Sequence, residues 1–160
     1  MPIFETSSWR RSVSEVEDRV SKGLADILSS KTQIKEILLP GVEVFLIDKR
    51  SPLALKYLLI EAVEAISDVC QHLLAKSRGI ACNGYVDCIL KAGTNGIIQE
   101  GLSRKLRKLA DLRNSLIHRY WIIDDRELFN LCLSNLEDLS EFASQASIFV
   151  TSGKGPIPPG

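Results

Sequence analysis

The spacing of apolar and polar residues along this 160-residue chain is helical over most of its length. Apolar side chains recur every three or four positions in several separate segments, as they do on the buried face of an α-helix. The prolines stand at positions 2, 40, 52, 156, 158 and 159, so none interrupts residues 53–155. The pattern predicts an all-α fold, an antiparallel bundle of four long helices plus one short helix.

Caps and helix breakers set the expected boundaries of these helices. A capping box, Ser12-Val-Ser-Glu15, predicts the start of the first helix, and Pro40-Gly41 predicts its end. Pro52 suits the first turn of the second helix, and Gly79 suits its end. The expected helices are residues 12–39, 52–76, 85–91, 99–121 and 124 onwards. Residues 42–47 have the composition of a strand, and a hairpin is conceivable, but no sheet is at hand, so we expect a short helical turn.

The composition is that of one globular domain, with 45% hydrophobic and 25% charged residues. We expect a flexible N-terminus over residues 1–11, a helical domain over residues 12–150 and a disordered Gly- and Pro-rich tail over residues 151–160. No segment approaches the roughly 18 apolar residues of a membrane span, and the first residues lack the apolar core of a signal peptide. These features predict a cytoplasmic protein that does not bind membranes.

The cysteines and histidines do not predict a metal site. Cys70, Cys82, Cys88 and Cys132 form no CxxC motif, and neither histidine stands near them in a zinc-ligand spacing. We therefore expect no metal and no cofactor. The thiols are expected to be reduced, with Cys82 and Cys88 as small buried side chains rather than a redox pair.

Positive charge is concentrated in the predicted helix over residues 99–121, although the whole chain has 20 basic and 20 acidic residues. Between Arg104 and Arg119 six basic residues face a single acid, Asp111. Such a run is most often a solvated helix face, but it also suits a polyanion such as RNA. The candidate RNA contacts are Arg104, Arg107, Lys108 and Arg119.

A helical wheel divides this segment into two faces. With about 100° per residue, Arg113 lies in line with a stripe of leucines, whereas His118 lies roughly 140° away from it. Trp121 and Ile117 border the histidine, so an aromatic and an aliphatic side chain point out of the same side of the helix. This arrangement is typical of a site between two protein surfaces. The alternative is a structural histidine with a hydrogen-bond partner.

The sequence Arg113-Asn-Ser-Leu-Ile-His118-Arg-Tyr120 places Arg, His and Tyr at a characteristic spacing. It resembles the motif of the HEPN superfamily, specifically of the HepT-like toxins, which are small helical ribonucleases paired with a minimal nucleotidyltransferase antitoxin. The resemblance extends upstream through residues 57–72 and 96–113. It covers about residues 44–142.

This resemblance implies a homodimeric, metal-independent endoribonuclease toxin of a type VII-like toxin-antitoxin system. Its catalytic residues would be Arg113 and His118, with Asn114 orienting them, in a cleft shared by two protomers. Histidine transfers protons near neutral pH and arginine stabilises phosphorane oxygens, so RNA would be cut to 2′,3′-cyclic phosphate ends. The resemblance also implies that the antitoxin silences the toxin by transferring AMP to Tyr120.

Two other functions remain open on the sequence. One is a catalytically silent HEPN module that binds a nucleotidyltransferase partner or a nucleotide, and the other is a plain helical scaffold.

Several further polar residues are expected to have structural roles. Asp68 and His72 stand four residues apart on the second helix and can pair. Glu61 and Glu64 are expected as surface or interhelical charges, and Tyr57 and Tyr85 as residues at the edge of the core.

Overall fold

The protein is all-α in its computed structural model, which describes the backbone of residues 2–118 and 123–153 and the side chains from residue 17 onwards. Within these ranges there are six helices and no strand. The helices are α1 (Pro2–Leu38), α2 (Val42–Ile47), α3 (Arg50–Arg78), α4 (Gly84–Thr94), α5 (Glu100–His118) and α6 (Asp125–Ser152). Four long helices and the short α4 confirm the predicted bundle, and α2 is the helical turn expected at residues 42–47.

The main departure from the predicted boundaries is at the N-terminal end. Helix α1 begins at Pro2, so the capping-box residues Ser12 and Glu15 lie inside the helix rather than at its start. Nothing between Pro2 and Ser12 breaks a helix, and proline is well suited to a first turn. Residues 154–160 and residues 119–121, the end of the helix predicted over residues 99–121, lie outside the described part. The division into residues 1–11, 12–150 and 151–160 stays a prediction.

Other helix ends follow the expected local chemistry. Gly79 closes α3 in the left-handed conformation, with φ 63°. Asp124 caps α6, because its side chain accepts a hydrogen bond from the backbone N–H of Glu127 at 2.8 Å. Gly79 and Asp124 therefore mark helix ends, as the sequence predicted.

The core lies between α1, α3 and α6 on one side and α4 and α5 on the other. Val20 and Ile27 of α1 are buried as expected, but Leu28, predicted on the same face, is 43% exposed. Tyr57, expected at the edge of the core, is 62% exposed. Among the described helices, none is long and apolar enough to cross a membrane.

Helices α4 and α5 approach each other closely and run antiparallel. A Cβ atom on Gly93 would overlap the side chain of Ser103, so glycine is what allows the last turn of α4 to lie against the first turns of α5. At the other end of the pair, Tyr85 of α4 lies beside Arg113 of α5. This contact brings the residues of the candidate site together.

Candidate active site

Helix α5 presents two faces, as the wheel predicted. Leu102, Leu106 and Leu109 are buried against the core, whereas His118, the last residue of the helix, is exposed. Ile117 beside it is 45% exposed. The histidine of the motif therefore faces away from the core of its own subunit.

Arg113 lies on the buried face and is only 8% exposed. Its Nη2 donates hydrogen bonds to Glu64 Oε1 and to the Tyr85 hydroxyl, both at 3.0 Å. Its Nη1 donates to Asn114 Oδ1 at 3.3 Å. The guanidinium carbon also lies 4.0 Å from the centre of the Tyr85 ring, a cation–π contact. Side chains from α3, α4 and α5 thus fix the orientation of the guanidinium.

One nitrogen of this guanidinium, Nε, makes no hydrogen bond to a described residue. Within the described residues, Arg113 Nε is a buried polar side-chain atom with no hydrogen-bond partner. A buried N–H without an acceptor is uncommon in folded proteins, because leaving it unpaired costs free energy. The contacts that hold Arg113 in place therefore leave its Nε–H without an acceptor among the described residues.

Glu64 and Tyr85 are the site residues that the sequence analysis missed. Glu64 does make the interhelical contact expected of it, and Tyr85 does pack at the edge of the core, but their shared partner is the motif arginine. A signal for Glu64 was present in the sequence. Arginine in line with a leucine stripe must be neutralised inside the protein, and Glu64 stands between apolar residues of α3.

The candidate RNA contacts form an exposed basic face on α5. Arg104 and Arg107 are exposed and make long ion pairs along the helix, with Glu100 at 3.9 Å and Asp111 at 3.7 Å. Exposed pairs of this kind are weak and are screened by salt, so a phosphate can displace them. Lys108 is exposed as well. Arg119, Tyr120 and Trp121 lie outside the described residues, and their predicted roles stay predictions.

Beside Arg113 lies an acidic cavity of about 640 Å³ between α1, α3 and α4. Its lining includes Asp26, Glu61, Glu64, Asp68 and Tyr85. His72 and Asp68 are paired as predicted, with Nε2 and Oδ1 3.4 Å apart. In the part of the chain that is described, no group of three His, Cys, Asp or Glu side chains is placed to hold a metal ion.

The cysteines contradict the expectation of four reduced thiols. Cys82 and Cys88 form a disulfide, with their Cα atoms 5.1 Å apart. The physical reason is the loop between α3 and α4, which turns back at Gly79 and lies against the first turns of α4. Cys70 and Cys132 are free and buried, and burial raises the pKa of each thiol to about 12.

Comparison with known proteins assigns the chain to a family. The model of the HepT-like family, described as ribonuclease HepT-like, matches residues 27–146. That range includes most of the helical domain and the whole Arg–His–Tyr motif. The protein belongs to the HepT-like family.

Several solved structures share this fold. The tri-AMPylated HEPN toxin of Shewanella oneidensis, in complex with its MNT antitoxin, aligns with a TM-score of 0.73 at 22% identity, over 79% of this chain and 95% of that chain. A toxin-antitoxin complex with AMP-PNP aligns with a TM-score of 0.72 at 21% identity, over 79% and 96%.

A third match is YutE from Bacillus subtilis, a cytosolic protein of unknown function. It aligns with a TM-score of 0.73 at 17% identity, over 88% of this chain and 94% of that chain. No curated protein matches the chain. At these identities the alignments show a shared fold.

Proposed function

We propose that this protein is the toxin of a type VII-like toxin-antitoxin pair and cleaves RNA without a metal ion. The observation that carries the proposal is the complete Arg113 and His118 pair on the last turns of α5, in a member of the HepT-like family. The histidine is exposed at the helix end, next to the basic face formed by Arg104, Arg107 and Lys108.

Each motif residue has one task in the proposed reaction. His118 exchanges a proton with the reacting oxygens, the usual role of histidine in general acid–base catalysis. Arg113 stabilises the negative charge of the phosphorane through its planar N–H donors. Asn114, whose Oδ1 accepts a hydrogen bond from Arg113, keeps the guanidinium in register. The products are a 2′,3′-cyclic phosphate and a 5′-hydroxyl end.

In the proposed reaction, the Glu64 carboxylate contacts Arg113 where the RNA phosphate is expected to bind. A carboxylate and a phosphate are both acceptors that match the guanidinium fork, so the substrate replaces the 3.0 Å contact of Arg113 with Glu64. The Glu64 side chain is 43% exposed, and it can turn towards the acidic cavity as the phosphate arrives.

The second catalytic set comes from a second copy of the chain. Arg113 and His118 diverge by roughly 140° around α5, so one protomer does not place both proton-transfer positions around a single phosphate. Two motif helices related by a two-fold axis bring two histidines and two arginines to one cleft. The exposure of Ile117 and His118 supports this homodimer.

The proposed partner in the cell is a minimal nucleotidyltransferase antitoxin that transfers AMP from ATP to Tyr120. The Shewanella toxin described as AMPylated in complex with an MNT antitoxin supports this partner. An adenylyl group two residues beyond His118 adds an anionic phosphodiester and a bulky nucleoside to the site. It competes with RNA phosphate for Arg113 and blocks the cleft.

A second candidate function is a catalytically silent HEPN module that only binds a nucleotidyltransferase or nucleotide. The observation in its favour is the burial of Arg113, which is 8% exposed and already hydrogen-bonded to three side chains. Such a protein would bind its partner and leave RNA intact.

The test is RNA cleavage by purified protein in excess chelator, with a histidine control that the chain itself offers. His118→Ala removes cleavage, whereas His72→Ala, which alters only the pair with Asp68 on α3, retains it. Arg113→Ala also removes cleavage. Intact RNA with wild-type protein supports the silent module, and full activity in His118→Ala overturns the assignment of the site.

A further inference from the structure

We infer that the Cys82–Cys88 disulfide holds Tyr85 on Arg113, so that Tyr85 is a positioning residue of the site and the site responds to thiols. The geometric part of this inference stands on the described contacts alone. Its effect on RNA cleavage rests on the proposed function.

Tyr85 lies within the loop closed by the two cysteines, on the first turn of α4. Its hydroxyl accepts a hydrogen bond from Arg113, and its ring lies flat enough against the guanidinium to bring the ring centre within 4.0 Å. Of the three side chains bonded to Arg113, it is the one from α4. The position of this first turn therefore decides whether Arg113 keeps both contacts.

Besides the packing of Tyr85 and Val86 against the core, the first turn of α4 is held by polar contacts near its surface and by the disulfide. Asn83 at the N-cap position makes no side-chain cap, so the first N–H groups of the helix lack the usual acceptor. The loop is tied to α4 by the backbone N–H of Asn83, which donates to Asp87 at 2.8 Å, and by Lys91 Nζ, which donates to the Ala81 carbonyl at 3.0 Å. Both contacts are exposed to solvent, and the disulfide is the one covalent tie.

The disulfide is open to a small reductant. Both cysteines line the 640 Å³ cavity together with Tyr85 and Glu64, and Cys82 is only partly buried. The two remaining cysteines, Cys70 and Cys132, are buried thiols that do not react in the folded protein. A thiol-dependent change in the native protein therefore reports on this bond.

Reduction by dithiothreitol is a balanced two-electron exchange. One thiolate of the reductant attacks a cysteine sulfur, and the S–S bond breaks to give a mixed disulfide. The second thiol of the reductant then closes its own ring. Cys82 and Cys88 each end with one proton, and the reductant leaves as a cyclic disulfide. The first turn of α4 is then free to fray and to carry Tyr85 away from Arg113.

The first experiment follows Arg113 directly, without any RNA. Because Arg113 Nε is buried under an aromatic ring, its N–H gives a side-chain NMR signal that is protected from exchange and shifted by the ring current. We expect this signal to move and lose protection after treatment with dithiothreitol, and to do the same in Cys82→Ser/Cys88→Ser without reductant. An unchanged signal, or four free thiols in the denatured protein before reduction, overturns the inference.

The second experiment measures RNA cleavage by the oxidised and the reduced protein. We expect reduction to lower the rate about tenfold or more, because the guanidinium loses its fixed orientation. Tyr85→Phe keeps the stacked ring, most of the activity and the response to thiol. Tyr85→Leu falls to the level of the reduced wild type and no longer responds. If Tyr85 had only a structural role, Tyr85→Leu would lose activity on reduction just as the wild type does. That result would overturn the inference.

The two arms separate this inference from the proposed function. Oxidised protein that never cuts RNA counts against the proposed function, and the NMR signal still decides whether the disulfide positions Tyr85. Protein that cuts RNA equally well in both redox states, with an unchanged Arg113 signal, refutes the inference and leaves the proposed function standing.

Discussion

At the residue scale, the site depends on an arginine buried in a position that its helix would normally give to a leucine. A desolvated guanidinium is stable only with acceptors and a counter-charge around it. Glu64 supplies the charge, Asn114 and Tyr85 supply acceptor oxygens, and the Tyr85 ring covers one face. The same contacts also fix the orientation of the guanidinium that we propose stabilises the phosphorane. Arg113 therefore contributes both to the stability of the fold and to the proposed reaction.

This double role predicts different stabilities for the two catalytic variants. Arg113→Ala leaves the partners of a buried charge unpaired, and we expect it to lower the free energy of unfolding by about 1–3 kcal/mol. His118→Ala removes an exposed side chain at a helix end, and a change within about 0.5 kcal/mol is expected. Urea unfolding followed by circular dichroism measures both. Equal stabilities for the two variants would contradict the buried network around Arg113.

The sequence revealed the motif residues but not their surroundings. Arg113, Asn114 and His118 are read from a short local pattern, and helical geometry alone places the histidine away from the leucines. Glu64 and Tyr85 reach Arg113 from helices α3 and α4, and contacts between distant segments leave no periodic trace in one sequence. The disulfide was missed for the same reason, since the loop that brings Cys82 to Cys88 is defined by tertiary packing.

At the element scale, the placement of Tyr85 depends on how closely α4 lies against α5. Gly93 sets this approach at the far end of α4, where the Ser103 side chain fills the space of a Cβ atom. Helices α4 and α5 are therefore held at both ends, by Gly93 and Ser103 at one and by Tyr85 and Arg113 at the other.

Two glycine substitutions on this pair of helices are expected to have opposite effects. Gly93→Ala forces α4 away from Ser103 and destabilises the protein by about 1–3 kcal/mol. Gly101→Ala meets no backbone, only the end of the Arg104 side chain at 4.0 Å, and alanine's better helix propensity gives a gain of up to about 1 kcal/mol. Thermal unfolding of the two variants is the measurement. A neutral Gly93→Ala would show that α4 and α5 are less tightly packed than described.

Helix order and type followed from the sequence because each long helix carries its own apolar stripe. The start of α1 did not follow from the sequence, because a capping box indicates a position where a helix can begin, and a helix can also run through it. Helix α1 continues from Ser12 back to Pro2 because no residue between them stops it. The short α2 has the β-branched composition of a strand, yet Phe45 is buried in a helical turn, because no strand partner exists within the described residues.

At the scale of the whole molecule, exposed apolar residues lie at the end of α5 and near the start of α3. Ile117 is 45% exposed there, and Leu53 and Tyr57 near the start of α3 are 66% and 62% exposed. The ion pair of Lys56 with Asp125, at 3.9 Å, brings the start of α3 to the start of α6, which follows α5 directly. This surface is where the proposed second copy docks.

The homodimer is tested by a charge at its proposed centre. Trp121→Glu is expected to weaken dimerisation and RNA cleavage together, as measured by analytical ultracentrifugation at micromolar concentration and by an RNA assay. Ile148→Glu is the matched control, since Ile148 is 49% exposed near the opposite end of the bundle, where Gln145 contacts Gln99. A wild-type monomer with full activity would refute the shared cleft.

Control by the antitoxin is tested at the single tyrosine of the motif. The cognate nucleotidyltransferase with ATP is expected to add AMP to Tyr120 and to abolish cleavage. Tyr120→Phe stays active and escapes modification, whereas Tyr57→Phe, which alters the exposed tyrosine of α3, is modified as the wild type is. Intact-mass measurement with peptide mapping gives the answer. Modification at a different residue, or none, would rule out the proposed control.

The central claim is that Arg113 and His118 cleave RNA by attack of its own 2′-hydroxyl, and the product ends test it most directly. Wild-type protein is incubated with a defined RNA in excess chelator, and the fragments are analysed by mass spectrometry. We expect 2′,3′-cyclic phosphate and 5′-hydroxyl ends, formed by the wild type and absent with His118→Ala. Fragments with 5′-phosphate ends, or cleavage that appears only when a divalent metal is added, would contradict it.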